Sequence, residues 1–133
     1  MRIVHGLAAC VFLLAIFGSV TPVYPQAGTN LTDMTVMEAA AAIRSGDVTS
    51  VELTRALIER IERYGDLNAL TWLDADAALE AAQQADEAVR NGEELGSLHG
   101  VPLVVKANIE LAGVPTTAGT PALAEHIPTS DAP

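Results

Sequence analysis

The sequence predicts an α/β protein with a parallel or mixed sheet, and three observations carry that expectation. Three segments have helical caps and helical spacing. Two short apolar segments, LNALTWL and VPLVV, lack a helical period and read as strands. Helix and strand signals alternate along the chain, as they do where helices pack on a sheet.

The first helix opens at Thr35, which is followed three residues later by Glu38. This is a capping box: hydroxyl and carboxylate reciprocally satisfy backbone N–H groups that a helix start leaves unpaired. The run VMEAAAAIRSG then reaches Gly46, which is suited to a left-handed helix end. Thr49 and Glu52 repeat the signature for a second helix. In it Leu53, Leu57 and Ile61 fall four apart with Ala56 and Tyr64 beside them, while Glu59, Arg60, Glu62 and Arg63 face away. LNALTWL, residues 67–73, is expected as a strand or extended segment with Trp72 as a core anchor. Asp74 or Asp76 caps the alanine-rich third helix, which ends at Gly92. VPLVV, residues 101–105, is the next expected strand, and residues 107–133, punctuated by Pro, Gly, Thr and Ser, read mostly as loop.

Composition narrows the function classes. The chain has 133 residues, about the length of one domain, and half are hydrophobic. Much of that apolar content lies at the start: Arg2 and His5 precede an uncharged apolar run over residues 7–20, and Pro and small polar residues follow. The order is that of a secretory signal peptide over residues 1–27, with Ala27 as the cleavage candidate. Export to the periplasm or the outside is therefore expected, the alternative being a membrane anchor formed by an uncleaved leader. The run is shorter than the roughly 20 residues a spanning helix needs, so no stable membrane insertion is expected after cleavage. Cys10, the one cysteine, lies inside the run, so the mature chain is expected to lack thiols, disulfides and cysteine-ligated metal. Seventeen acidic against seven basic residues, a net charge of -10, argue against nucleic-acid binding and favour a simple role in solubility.

The seven basic residues include one lysine, Lys106, and it closes the apolar run LVVK. A lysine at the carboxyl end of a buried strand points into the crevice where open α/β sheets place ligands. Desolvation there disfavours the ammonium and makes the amine a usable general base. The alternative is a structural lysine paired with Glu110 or Asp131. His99 and His126 read as turn or packing residues, and no two histidines have metal-ligand spacing.

LHGVPLVVKANIELAGVPTTAGTPAL, with the trailing DAP, closely resembles the lysine region of the amidase signature family. The preceding residues 34–86 resemble that family's amino-terminal helices, so the resemblance spans residues 31–133. Within the family, VKANIELAGVPTTAGTPAL is similar to indoleacetamide and mandelamide hydrolases. The resemblance implies an α/β fold with a mixed sheet, of which residues 31–133 supply the amino-terminal helices and first strands. It implies a hydrolase that converts a small-molecule carboxamide to a carboxylic acid and ammonia through two serines and a lysine, with no cofactor and no metal. One serine attacks the carbonyl, a second relays the proton, and the family's lysine, which matches Lys106, starts the relay. A neutral amine can accept a proton through a bridging hydroxyl and return it to the leaving ammonia.

The family carries its serines in a downstream segment dense in Gly and Ser. Ser19, Ser45, Ser50, Ser97 and Ser130 lie in no such segment, and capping explains Ser45 and Ser50. The chain is therefore expected to be an amino-terminal fragment, inactive by itself. It departs from the family at Ala107, where Asp commonly follows the lysine; an alanine leaves Lys106 easier to deprotonate but less firmly positioned. Asn108 and PTTAGT, residues 115–120, are expected to shape the substrate mouth, with Gly113 and Gly119 as turns. The hydroxyls of that run read as turn hydrogen-bonding groups, with direct ligand contact as the alternative. Two other readings remain. One is a non-catalytic secreted binding or interaction domain with a structural Lys106. The other is the amidase-like component of a transfer-RNA amidotransferase, against which the leader argues because that work is cytoplasmic.

Overall fold

The computed structural model describes residues 30–133; the leader expected over residues 1–27, with Cys10, lies outside the described residues. Three helices form the body: α1 (Val36–Ser45), α2 (Ser50–Arg63) and α3 (Ala75–Asn91). Single 3-10 turns lie at Leu31–Asp33, Gly65–Leu67 and Pro121–Leu123.

The helix ends follow from local chemistry. Thr35 and Thr49 each accept the backbone N–H three residues on, and Glu38 and Glu52 reach back to the threonine N–H groups at 2.8 and 2.9 Å. These contacts hold both carboxyl groups below their ordinary value of 4.5; in each, the threonine backbone N–H contributes most and the hydroxyl next. Asp74, the nearer of the two candidates, caps α3 by accepting from Ala77 N–H at 2.9 Å. Gly46 and Gly92 end α1 and α3 in left-handed geometry, as the spacing predicted.

The core is small and lies between α1 and α2. Ala39, Ile43 and Leu53 are buried together, with Leu31, Met34, Val48, Leu57, Val89 and Val101 packed around them. The buried face of α2 runs through Ser50, Leu53, Thr54 and Ile58, so it sits slightly to one side of the expected stripe and leaves Tyr64 exposed. From α3, Ala82 is buried, and Asp86 reaches across to α2, accepting Ser50 N–H at 2.6 Å and Val51 N–H at 3.1 Å. A carboxylate on a neighbouring helix thus satisfies the first turn of α2, where the helix dipole favours negative charge.

The expected α/β architecture with a mixed sheet is overturned: among the described residues there is no β-strand. LNALTWL forms a 3-10 turn and irregular backbone, with Asn68 left-handed at φ 51° and Trp72 exposed, so it contributes neither a strand nor the core anchor. VPLVV also carries no regular structure. Leu103 and Val104 are 70% and 74% exposed, and among the described residues no backbone hydrogen bond involves residues 102–105. A strand exists only as a ladder with a neighbour, so β-branched composition alone does not make one.

Candidate functional site

The approach to Lys106 is fastened to the helical body at several points. Arg44, on the last turn of α1, donates to the carbonyls of Gly96 and Ser97 at 3.0 and 3.2 Å. His99 Nε2 lies 2.9 Å from the Ala85 carbonyl, an acceptor, so this nitrogen is the donor and ties the turn to α3. Ser50, 2% exposed, donates through Oγ to the Gly100 carbonyl at 2.6 Å. Gly100 is itself required at this crossing: its φ is 73°, and a Cβ there would stand 3.1 Å from Ile43 Cγ2 and 3.2 Å from Ser50 Cβ. Val101 then packs on the core, and the chain leaves the body.

Lys106 is exposed, contrary to the expectation of a buried strand end. Its carbonyl accepts Ile109 N–H at 2.9 Å, which makes residues 106–109 a turn, and the next carbonyl, that of Ala107, accepts Ala118 N–H at 2.9 Å. The two acids expected as structural partners for Lys106 are engaged elsewhere. Glu110 Oε1 pairs with His126 Nε2 at 3.0 Å, and Asp131 Oδ1 accepts Ala112 N–H at 2.9 Å.

The long segment after the lysine is ordered by its own backbone. Ala132 N–H donates to Glu110, Gly113 N–H to Pro128 and Thr116 N–H to His126, at 2.8, 2.9 and 3.0 Å. The pairing runs antiparallel, so residues 110–116 and 126–132 form an irregular ribbon. Thr116 is buried and donates to the Val114 carbonyl, while Thr117 and Thr120 accept the N–H groups of Gly119 and Ala122. These hydroxyls therefore make the turn bonds that their Gly- and Pro-rich setting suggested, and Gly113 and Gly119 are left-handed at φ 76° and 72°.

Neither of two surface clefts on the helical body is lined by Lys106. One, of about 500 Å³, lies among Val48, Val51, Asp86 and Val89; the other, of about 220 Å³, lies beside Arg60, Arg63 and Tyr64. Ser45 Oγ bonds the Ala41 and Ala42 carbonyls and Asp47, and Ser50 Oγ holds Gly100, so both hydroxyls have structural partners. Among the described residues, no group of three His, Cys, Asp or Glu side chains is placed to hold a metal ion. Among them, too, no helix is long and apolar enough to cross a membrane.

The three helices thus carry the chain, through Val101, to Lys106 and the Gly- and Thr-rich ribbon that follows it. Residues 52–133 match the family described as Amidase, and the chain belongs to that family. It is 41% identical over 103 residues to the mandelamide hydrolase of Pseudomonas putida, covering 77% of this chain and 20% of that protein. The indoleacetamide hydrolase of Bradyrhizobium diazoefficiens is 42% identical over 98 residues, covering 73% and 19%. A glutamyl-tRNA(Gln) amidotransferase chain of Chloroflexus aurantiacus is 46% identical over 101 residues, covering 75% and 21%. The chain thus spans about a fifth of the length of the curated relatives it matches.

Proposed function

We propose that this chain is the lysine-bearing amino-terminal part of an exported amidase that hydrolyses a small-molecule carboxamide to a carboxylic acid and ammonia. Lys106 is its proton acceptor. The amine takes a proton through a relay serine as the nucleophilic serine attacks the amide carbonyl, and the same proton returns to the departing ammonia. Both serines and the oxyanion-binding backbone come from the downstream Gly/Ser-rich segment, so residues 30–133 by themselves release no ammonia.

The observation that carries this proposal is the setting of Lys106. It is the one lysine, it lies within the family match, and it stands at the first turn of a ribbon whose acids are already engaged with other partners. A purely structural lysine would be expected to hold one of those carboxylates. Membership of a transfer-RNA amidotransferase is the competing reading, favoured by the 46% identity to the Chloroflexus aurantiacus protein. The leader proposed over residues 1–27 favours the exported hydrolase.

The test is ammonia release from an aryl-acetamide, with glutamine as the comparison substrate, by the polypeptide read from the gene past Pro133. Lys106→Ala is expected to lower turnover about a hundredfold or more, the range for loss of a general base, without altering the circular dichroism spectrum. Near-normal turnover by that variant would refute the role. Ammonia released from glutamine alone would favour the amidotransferase.

A further inference from the structure

Lys106 stands at a boundary between two kinds of backbone. Before it, residues 102–105 make no backbone hydrogen bond among the described residues; after it, two successive carbonyls, those of Lys106 and Ala107, are both held at 2.9 Å. The donor to the second is Ala118, which has φ 47°. That is the left-handed region, where a Cβ crowds the following carbonyl and which residues other than glycine seldom occupy. Gly119 follows with φ 72° and suffers no such crowding, so the strain falls on the residue that reaches Ala107.

Neighbouring bonds hold Ala118 in this conformation. Thr117 accepts Gly119 N–H through Oγ1 at 3.3 Å and Thr120 N–H through its carbonyl at 2.9 Å, and Thr116 is buried in the ribbon with its N–H on the His126 carbonyl. Backbone strain of this kind persists only where surrounding contacts over-determine it, and it concentrates at functional sites. The side chain at position 107 is a methyl group, with no polar atom to orient the peptide, so the backbone must do that.

We propose that Ala118 is a positioning residue for Lys106: its left-handed backbone turns its N–H onto the Ala107 carbonyl and so fixes the peptide that leads out of the lysine. The role builds on Lys106 as the proton acceptor. Without the clasp, the 106–109 turn is anchored on one side only, and the amine samples directions from which it cannot reach a relay hydroxyl.

Two substitutions separate the elements of the clasp. Ala118→Gly keeps the N–H and removes the steric cost of the left-handed backbone. Ala118→Pro removes the N–H and forbids that φ. Hydrogen exchange on the full chain, at the Ile109 amide that donates to Lys106, reads whether the clasp steadies the 106–109 turn. Ala118→Pro is expected to speed exchange at the Ile109 amide at least tenfold, and Ala118→Gly to leave it within threefold, with α2 amides unchanged in both. In the amidase read through past Pro133, Ala118→Pro is expected to lower kcat at least tenfold with KM within twofold, and Ala118→Gly, which retains the N–H, to lower kcat several-fold less than Ala118→Pro does. If Ala118→Pro also exposes α2, Ala118→Val replaces it, since it retains the N–H but penalises the left-handed backbone; a fall in kcat without a rise in KM is again expected. Unchanged Ile109 exchange in the disrupted variants, or kcat and KM moving together, would overturn the proposal. An unaltered turnover in Lys106→Ala would instead remove the lysine's role, while the exchange result still decides whether Ala118 steadies the 106–109 turn.

Discussion

Ser50→Ala removes the hydroxyl that fastens the Gly100 carbonyl to the first turn of α2. The bond is 2.6 Å long, and its donor residue is 2% exposed. A neutral hydrogen bond contributes about 0.5–1.5 kcal/mol net, and an acceptor left unpaired in the interior costs about 1–3 kcal/mol. Gly100 is only half-buried, so water regains part of the carbonyl, and the combined cost is about 1–2 kcal/mol. Spread over the segment that Ser50 holds, this is about a 5- to 30-fold rise in the opening equilibrium of residues 96–101. Native-state hydrogen exchange measures it at the amides of His99 and Val101, which donate to Gly96 and Leu98 at 3.2 and 3.1 Å. The amides at the centre of α2 should change little, because Asp86 still accepts Ser50 N–H at 2.6 Å. Exchange at His99 and Val101 within about twofold of the parent would show that Arg44 and His99 anchor this segment without help from Ser50, and the structural assignment of the hydroxyl would fail.

Two further outcomes are expected. Asp86→Ala leaves two N–H groups of α2 without their carboxylate, and charge-assisted bonds of this kind contribute about 1.5–3 kcal/mol each before other groups relax; urea denaturation followed by circular dichroism should lose about 2 kcal/mol, and an unchanged midpoint would contradict the clasp between α3 and α2. The capping boxes give an acid-side dependence. Because the folded-state values of Glu38 and Glu52 are lowered from 4.5, their contribution is fully present above that value and is lost as pH falls through the lower folded value. Both carboxylates are almost wholly exposed, so the effect is small, and the double variant Glu38→Gln, Glu52→Gln should flatten the acid limb of stability against pH; a profile parallel to the parent's would contradict it.

Much of the candidate site was legible in the sequence at the level of residue types. Lys106 is marked as the one lysine, at the end of an apolar run, and the turn roles of Gly113, Gly119 and the Thr117 and Thr120 hydroxyls follow from their Gly- and Pro-rich setting. The partners were not legible. Capping, the role expected of Ser50, belongs to Thr49, and the Ser50 hydroxyl holds the Gly100 carbonyl instead; no local signal distinguishes such a serine from one that faces water. The strained Ala118 was equally hidden, because alanine carries no preference for the conformation it adopts.

By itself the sequence determined the three helices and most of their ends, because capping boxes, an Asp N-cap and glycine C-caps act over three or four residues and need no distant partner. Only the tertiary structure decided what lies between them and Lys106. Ser50 to Gly100, Asp86 to Ser50 and Arg44 to Gly96 join residues 50, 36 and 52 positions apart, and such pairs exist only once α1, α2 and α3 have packed. For the same reason the composition of VPLVV did not suffice to make it a strand. Strand identity is a relation between two segments, and among residues 30–133 no second segment pairs with it.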